Sequence, residues 1–183
     1  MATVYKIADE DVLAVMRRVI NDHGIFAEIG EHVRIEVLMA WSDKGAPLKH
    51  GGATAAAKIR VVDGEERSRG GPDVRILIDA GLFATMSPRT QEALFAHELY
   101  HLRLQRHLDG SVKVDPYSRP VIKMIDDDWC INGFQRVAEW YGDASIEVQA
   151  HRGVGELLSQ TALPFGDPGS DAEREAVEEW AST

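Results

Sequence analysis

Residues 87–110 read SPRTQEALFAHELYHLRLQRHLDG and contain the strongest local pattern in the chain. Ser87 is a favourable N-cap residue, Pro88 suits the first helical position, and Gly110 is a typical terminator after His107. The stretch therefore predicts one long helix. Four apolar side chains predict that this helix packs into a core: Leu94, Phe95, Leu99 and Leu102.

The letters HELYH, residues 97–101, form an HExxH motif inside this predicted helix. Residues four apart on a helix differ by roughly 40° around the axis and roughly 6 Å along it, so His97 and His101 project side by side and can reach one ion. Glu98 lies roughly 100° round from His97. There its carboxylate can accept a proton from a metal-bound water without occupying a coordination position. The motif predicts a Zn²⁺ site with Glu98 as the catalytic base.

A catalytic zinc ion needs a third protein ligand, and the letters IDDDW offer three consecutive aspartates. We expect Asp128 to cap the helix that follows, because acidic side chains are favourable at a helix N-terminus. The ligand we predict is Asp127. Asp126, Asp128, Glu139 and His151 remain alternatives.

His107 occupies the position of the third histidine in the longer pattern HExxHxxGxxH, but the glycine of that pattern is Leu104 here. On an unbroken helix His107 lies roughly 9 Å beyond His101 and on another face. We therefore expect His107 to sit near the helix C-terminus and not to bind the ion. Candidates for stabilising an oxyanion are His151, Tyr100 and Tyr141, and the sequence does not choose among them.

The rest of the chain predicts an α+β fold. Apolar and polar residues alternate in three stretches, which is the period of half-buried strands, and two further stretches show a helical apolar stripe. The strands are predicted within residues 32–41, 55–64 and 72–81, and the helices within 8–24 and from about Trp129 to Tyr141. We expect a small twisted mixed sheet packed on the HELYH helix, with the two other helices completing the core.

Length and composition indicate one globular domain. The chain has 183 residues, of which 44% are hydrophobic and 27% charged. We expect a single domain over residues 1–160, followed by an acidic tail or short helix over 161–183. There is no apolar run of roughly eighteen residues and no basic, apolar N-terminal signal, which predicts a cytoplasmic protein without a membrane partner.

Charge and cysteine usage exclude several classes of protein. A net charge of −10 argues against a general nucleic-acid binder. A DNA-associated protease would need a local basic patch, to which Lys49, Lys58 and Arg60 could contribute. The single cysteine, Cys130, allows neither an internal disulfide nor a cysteine-based zinc cluster.

The order of these parts resembles the phage metallopeptidase family, small zincin-like proteins, over roughly residues 10–142. The resemblance rests on HELYH and, at the level of pattern, on the strands before it and the letters DDW…GFQRVAEWYG after it. It implies a zincin fold, ligand roles for His97 and His101, and the base role for Glu98. The family often has a histidine-aspartate pair near residues 127–128, where this chain begins with an aspartate.

The leading prediction is a zinc-dependent peptidase that cleaves a protein or peptide substrate inside the cell. In zincins the edge strand of the sheet lies along the cleft, and VRILIDAG, residues 74–81, is the predicted edge strand that pairs with the substrate. The alternative is a zincin scaffold that binds a host or phage protein without hydrolysing it. Neither the substrate nor the oligomeric state follows from the sequence.

Overall fold

The computed structural model of the chain describes residues 3–50, 53–126 and 133–152. The chain divides into two compact units, residues 1–149 and 150–183. Only residues 150–152 of the second unit are described, so the elements below belong to the first. The predicted boundary after residue 160 stays a prediction.

Within the described residues lie eight strands and six complete α-helices, and residues 146–149 are also helical. The strands are β1 (Val4–Ile7), β2 (Ile35–Trp41), β3 (Lys49–His50), β4 (Ala53–Thr54), β5 (Ala57–Val61), β6 (Val74–Asp79), β7 (Leu102–Leu104) and β8 (Ile122–Met124). The helices are α1 (Glu10–Asp22), α2 (Ala27–His32), α3 (Gly64–Ser68), α4 (Ala80–Thr85), α5 (Pro88–Tyr100) and α6 (Gln135–Tyr141). Short 3₁₀ helices cover Gly24–Phe26 and Gly142–Ala144.

The main sheet has four strands in the order β1-β2-β6-β5. β2 and β6 run parallel, and each is flanked by an antiparallel neighbour. The side chains of Val74, Ile76 and Ile78 alternate into the core, where all three are fully buried. Arg75 lies on the other face and forms ion pairs with Glu36 and Glu66. The fold is therefore a mixed α+β fold with a small mixed sheet, and all three predicted strands are present.

The predicted edge strand is wrong, because β6 lies inside the sheet with β2 on one side and β5 on the other. The chain places β5 before β6 in sequence, yet β6 inserts between β2 and β5 in space. The edges of the four-stranded sheet are therefore β1 and β5. This moves the exposed backbone edge near the HExxH helix from residues 74–79 to Ala57–Val61.

The predicted length of the HExxH helix is also wrong. Helix α5 begins as expected, with the Ser87 side chain accepting a hydrogen bond from the Thr90 amide, but it ends at Tyr100. The next residues form β7 and pair with β8, a long-range contact that local helix propensity does not contain. His107 is exposed in a turn, where Gly110 adopts a positive φ of 86°. The predicted place of His107 at the end of the helix is therefore wrong.

Helix α6 is shorter than predicted. It begins at Gln135, and the extended residue Phe134 occupies its N-cap position. The predicted start at Trp129 and the predicted cap Asp128 are therefore wrong for this helix, and both residues lie outside the described part of the chain. Phe134 stays extended because its ring is fully buried and its amide points to a buried carboxylate, described below.

A compact excursion, residues 105–121, connects β7 to β8. Gln105, Lys113 and Val121 close a ring of backbone hydrogen bonds of 2.8–2.9 Å among themselves. The base of the excursion is held by a buried ion cluster in which Asp73 contacts the guanidinium groups of Arg67 and Arg119 at 2.8 and 3.0 Å. These contacts hold the excursion so that the end of β8 lies beside the C-terminal end of α5, where the candidate site lies.

Within the described ranges, no helix has both the length and the apolar character needed to cross a membrane.

Candidate metal centre

A cavity of about 490 Å³ lies between the C-terminal half of α5, strand β5 and the end of β8. His97, Glu98 and His101 all line it. The other lining residues are Thr54, Ala55, Ala56, Ala57, Lys58, Ile59, Leu94, Met124, Ile125, Asp126 and Ile146. The structure thus brings the three residues of the HExxH motif to the wall of one cleft.

The two histidines keep helical spacing although the helix ends between them. His97 lies in the last turn of α5, and His101 occupies the C-cap position with helical angles, φ −64° and ψ −17°. Their ring centroids are 5.0 Å apart and their planes nearly perpendicular, at 86°. Because helical backbone angles persist through His101, the early end of α5 leaves the side-by-side placement of the imidazoles intact.

His101 is fixed by two hydrogen bonds to one residue, Ile125. The Ile125 amide donates to the His101 carbonyl at 2.8 Å, and His101 Nδ1 donates to the Ile125 carbonyl at 2.8 Å. A carbonyl oxygen only accepts hydrogen bonds, so Nδ1 carries the proton in the neutral ring. The lone pair that can bind a metal is then on Nε2.

His97 is fixed by a buried carboxylate. Its Nδ1 atom lies 2.9 Å from Oε1 of Glu147, a residue with no exposed surface. The same oxygen lies 3.4 Å from the amide nitrogen of Phe134. An ionised carboxylate accepts hydrogen bonds, so Nδ1 of His97 also carries the proton and Nε2 holds the lone pair. Both imidazoles therefore have their Nδ1 bound to oxygen, the arrangement usual for metal-binding histidines.

The Phe134 ring packs against both imidazoles. Its centroid lies 5.3 Å from that of His97 and 4.7 Å from that of His101. Since Phe134 is fully buried, this contact restricts the rotation of both histidine side chains. Glu98 is also almost fully buried, at 4% exposure, in the same cavity wall. A carboxylate at this position can exchange a proton with a group held in the cavity.

The predicted third ligand, Asp127, lies outside the described residues, as does Asp128. Asp126 is exposed and lines the cavity. Glu139 is exposed on α6, where it accepts hydrogen bonds from Gln135 and Arg136, and it does not line the cavity. In the part of the chain that is described, no three His, Cys, Asp or Glu side chains form a group that could hold a metal ion.

Two of the candidates for oxyanion stabilisation, Tyr100 and Tyr141, contact other side chains of the first unit. The Tyr100 ring packs against Phe134, and the hydroxyl of Tyr141 lies 3.0 Å from Nε2 of His23. Burial, with smaller contributions from neighbouring carboxylates, raises the pKa of Tyr141 to about 12. Neither tyrosine lines the cavity. His151 is exposed and belongs to the second unit.

Sequence reasoning missed Glu147 and Ile125. Glu147 is 50 positions from His97 in sequence, and no local pattern marks it as buried. Ile125 acts through its backbone, which carries no sequence signal. Neither role could be predicted locally, because each depends on how distant parts of the chain pack against α5.

The residues present fit a divalent cation such as zinc. Two imidazoles have Nδ1 bound to oxygen, and the cavity that they line also contains Glu98 and Asp126. Imidazole and carboxylate are the ligand types that zinc takes in catalytic sites. The Oε2 atom of Glu147 is also buried without a hydrogen-bond partner in the described structure, and positive charge on the neighbouring imidazole would stabilise this carboxylate.

A helix of the HExxH type whose imidazoles share one cleft is typical of metal-dependent peptidases. The family model described as "Putative phage metallopeptidase" matches residues 4–158, and the chain belongs to that family. No curated protein and no solved structure matches the chain at a significant level.

Gly133→Ala is expected to disturb the support of His97. A Cβ atom at this position would lie 2.2 Å from Cγ of Glu147, so the carboxylate has to move. We expect the free energy of unfolding to fall by about 1–3 kcal/mol in urea denaturation. The control is Gly64→Ala, where the added Cβ meets no atom within 4 Å and the change should stay within about 0.5 kcal/mol. Unchanged stability of the Gly133 variant would contradict this packing.

Proposed function

We propose that this protein is a zinc-dependent peptidase with a zincin-like fold that cleaves peptide bonds of a protein substrate inside the cell. The observation that carries the proposal is the orientation of His97 and His101. Each ring holds its Nδ1 proton against an oxygen atom, from Glu147 and from Ile125 respectively, in the wall of a cavity that also contains Glu98. Membership of the metallopeptidase family supports the same class of activity.

In this proposal the Nε2 atoms of His97 and His101 hold the zinc ion together with Asp127. When bound, the ion would supply Lewis-acid chemistry, lowering the pKa of a water molecule and polarising the peptide carbonyl. Asp127 is proposed because Ile125, two residues earlier, is bound to His101 on both its amide and its carbonyl, and Asp126 already lines the cavity. The aspartate-containing segment therefore starts at the site.

Glu98 is the proposed base. Glu98 directly follows His97 in sequence, and its side chain lines the same cavity at 4% exposure, so it works in surroundings that contain little water. The carboxylate accepts the proton of the attacking water and later delivers it to the nitrogen of the leaving amine. A proton held on Glu98 in this way is available where the peptide nitrogen departs.

The substrate is proposed to lie along strand β5. The Asp79 amide donates to the Ala56 carbonyl at 2.8 Å, and the Val62 amide donates to the Asp73 carbonyl at 2.9 Å. The backbone groups of the even-numbered residues of β5 therefore face β6. The backbone groups of Ala57, Ile59 and Val61 therefore point away from β6. Because Ala57 and Ile59 also line the cavity, an extended peptide added at this edge passes the two histidines.

Glu98→Gln is expected to keep the zinc ion and to lose cleavage. Glutamine has nearly the same shape but cannot take up the proton, so cleavage of fluorescently labelled, unfolded casein should fall by at least about 100-fold. Zinc per chain is measured by elemental analysis of the same samples. The matched control is Glu92→Gln on the same helix, which removes a surface ion pair with Arg18 and should leave both quantities unchanged. Normal cleavage by the Glu98 variant would reject the assigned base.

Asp127→Ala is expected to weaken zinc binding more than the same change at either neighbour. Loss of a direct ligand should reduce affinity by at least about 100-fold, beyond the loss caused by removing an outer partner. Competition with a chromophoric chelator measures the affinity of the Asp126, Asp127 and Asp128 variants, with the exposed Asp43→Ala as control. A larger loss at Asp126 or Asp128 would transfer the ligand role to that residue.

Ile59→Pro is expected to raise KM for labelled casein by about tenfold, the value of a backbone hydrogen bond or slightly more. Proline removes the amide hydrogen that points into the cleft, while the ladder to β6 uses the even-numbered residues of β5. Ile59→Val keeps that amide and is the control. Circular dichroism and zinc content verify the fold, and an unchanged KM in a folded, zinc-loaded variant would exclude peptide binding at this edge.

A further inference from the structure

We infer that Glu147 is a positioning residue whose buried negative charge couples cation binding at His97 to the stability of the fold. This inference rests on the metal centre of the proposed function but not on peptide cleavage. The cation-free protein contains an unbalanced buried charge. Binding of a divalent cation to His97 then relieves that imbalance.

The first observation is that few polar groups surround the Glu147 carboxylate. The side chain has no exposed surface. Oε1 receives the hydrogen bond from His97 and lies 3.4 Å from the Phe134 amide, at the long end of hydrogen-bond distances. Oε2 is buried and has no hydrogen-bond partner in the described structure. A buried carboxylate in such surroundings is unfavourable unless a positive charge balances it.

The second observation is that no lysine or arginine in the described ranges forms an ion pair with Glu147. Among the described residues, His97 is the ion-pair partner of Glu147, and a neutral imidazole contributes only its polar N–H group. By contrast, the buried Asp73 contacts two guanidinium groups, from Arg67 and Arg119. The fold therefore balances one fully buried carboxylate with arginines and leaves the other facing a histidine.

The third observation is that the fold makes room for Glu147 at this position. Gly133 lies so close that any side chain there would meet Cγ and Cβ of Glu147, at 2.2 and 3.1 Å. Packing alone would be satisfied by an apolar side chain of similar size. The close approach of glycine, the hydrogen bond to Nδ1 and the open oxygen together indicate a role for the charge.

A cation on Nε2 of His97 supplies what the carboxylate lacks. The ring then carries partial positive charge, and its Nδ1–H group donates more strongly to Oε1 of Glu147. The carboxylate in turn raises the basicity of Nε2. By linkage, the cation binds more tightly because Glu147 is charged, and the protein gains stability when the cation binds.

For Glu147→Gln, this coupling predicts weaker zinc binding but no loss of stability in the zinc-free protein. Glutamine keeps the size of the side chain and an acceptor for His97 but removes the charge. Zinc affinity should fall by about 10–100-fold, the range found when an outer carboxylate partner is lost. Zinc-free protein should unfold at the same temperature as the wild type or at a higher one, because the unbalanced charge is gone. A residue that acts only in packing would lower both quantities or neither.

The experiment compares full-length wild type, Glu147→Gln and the matched control Glu139→Gln, an exposed glutamate on α6. Zinc affinity is measured by competition with a chromophoric chelator, and Tm is measured on chelator-treated and zinc-loaded samples. The control should match the wild type throughout. The zinc-induced rise in Tm should be smaller in Glu147→Gln than in the other two proteins.

Two results would overturn the inference: a zinc affinity of Glu147→Gln within about twofold of the wild type, or a clearly lower Tm of its zinc-free form, including failure to fold. Either result leaves the proposed peptidase intact if the wild type binds zinc and cleaves. Conversely, a wild type that binds zinc without cleaving any peptide contradicts the peptidase and leaves the role of Glu147 standing. A wild type that binds no zinc contradicts both.

Discussion

The pair of hydrogen bonds between His101 and Ile125 is the constraint on which the site depends. It holds Ile125, the residue after β8, against His101, the C-cap residue of α5, with both bonds at 2.8 Å. The bond from the Ile125 amide positions the segment that lines the cavity. The bond from His101 Nδ1 sets the orientation of the imidazole ring. The excursion between β7 and β8 is anchored by the buried contacts of Asp73 with Arg67 and Arg119. The ion cluster therefore helps to hold the geometry of the cleft.

Helix α5 carries polar chemistry inside the core. Eight of its residues are buried, among them His97 and Glu98 beside Leu94, Phe95 and Leu99. A helix buried on most sides needs hydrogen-bond partners for its polar side chains. Glu147 is such a partner for His97. The partner that stabilises a buried polar side chain in this way also holds it in a fixed position.

Local patterns predicted the parts of this fold that depend on local forces. Alternation gave the three predicted strands, the Ser87 and Pro88 pair gave the start of α5, and helical spacing gave the shared placement of His97 and His101. What failed depends on distant pairing. The stretch 102–104 is predicted to continue the helix, but its pairing with β8 makes it a strand. The central position of β6 and the partner of His97 likewise come from contacts between segments far apart in sequence.

The early end of α5 has an electrostatic consequence. A helix that continued to His107 would keep its carboxyl end, which bears about half a negative charge, several ångströms away from the two imidazoles. Because α5 stops at Tyr100, its last carbonyl groups lie within one turn of His101 and the aligned peptide dipoles terminate at the site. Dipoles in this orientation attract a cation by about 0.3–1 kcal/mol and repel an anion by a similar amount. The backbone itself therefore favours positive charge where the imidazoles meet, before any acidic side chain contributes.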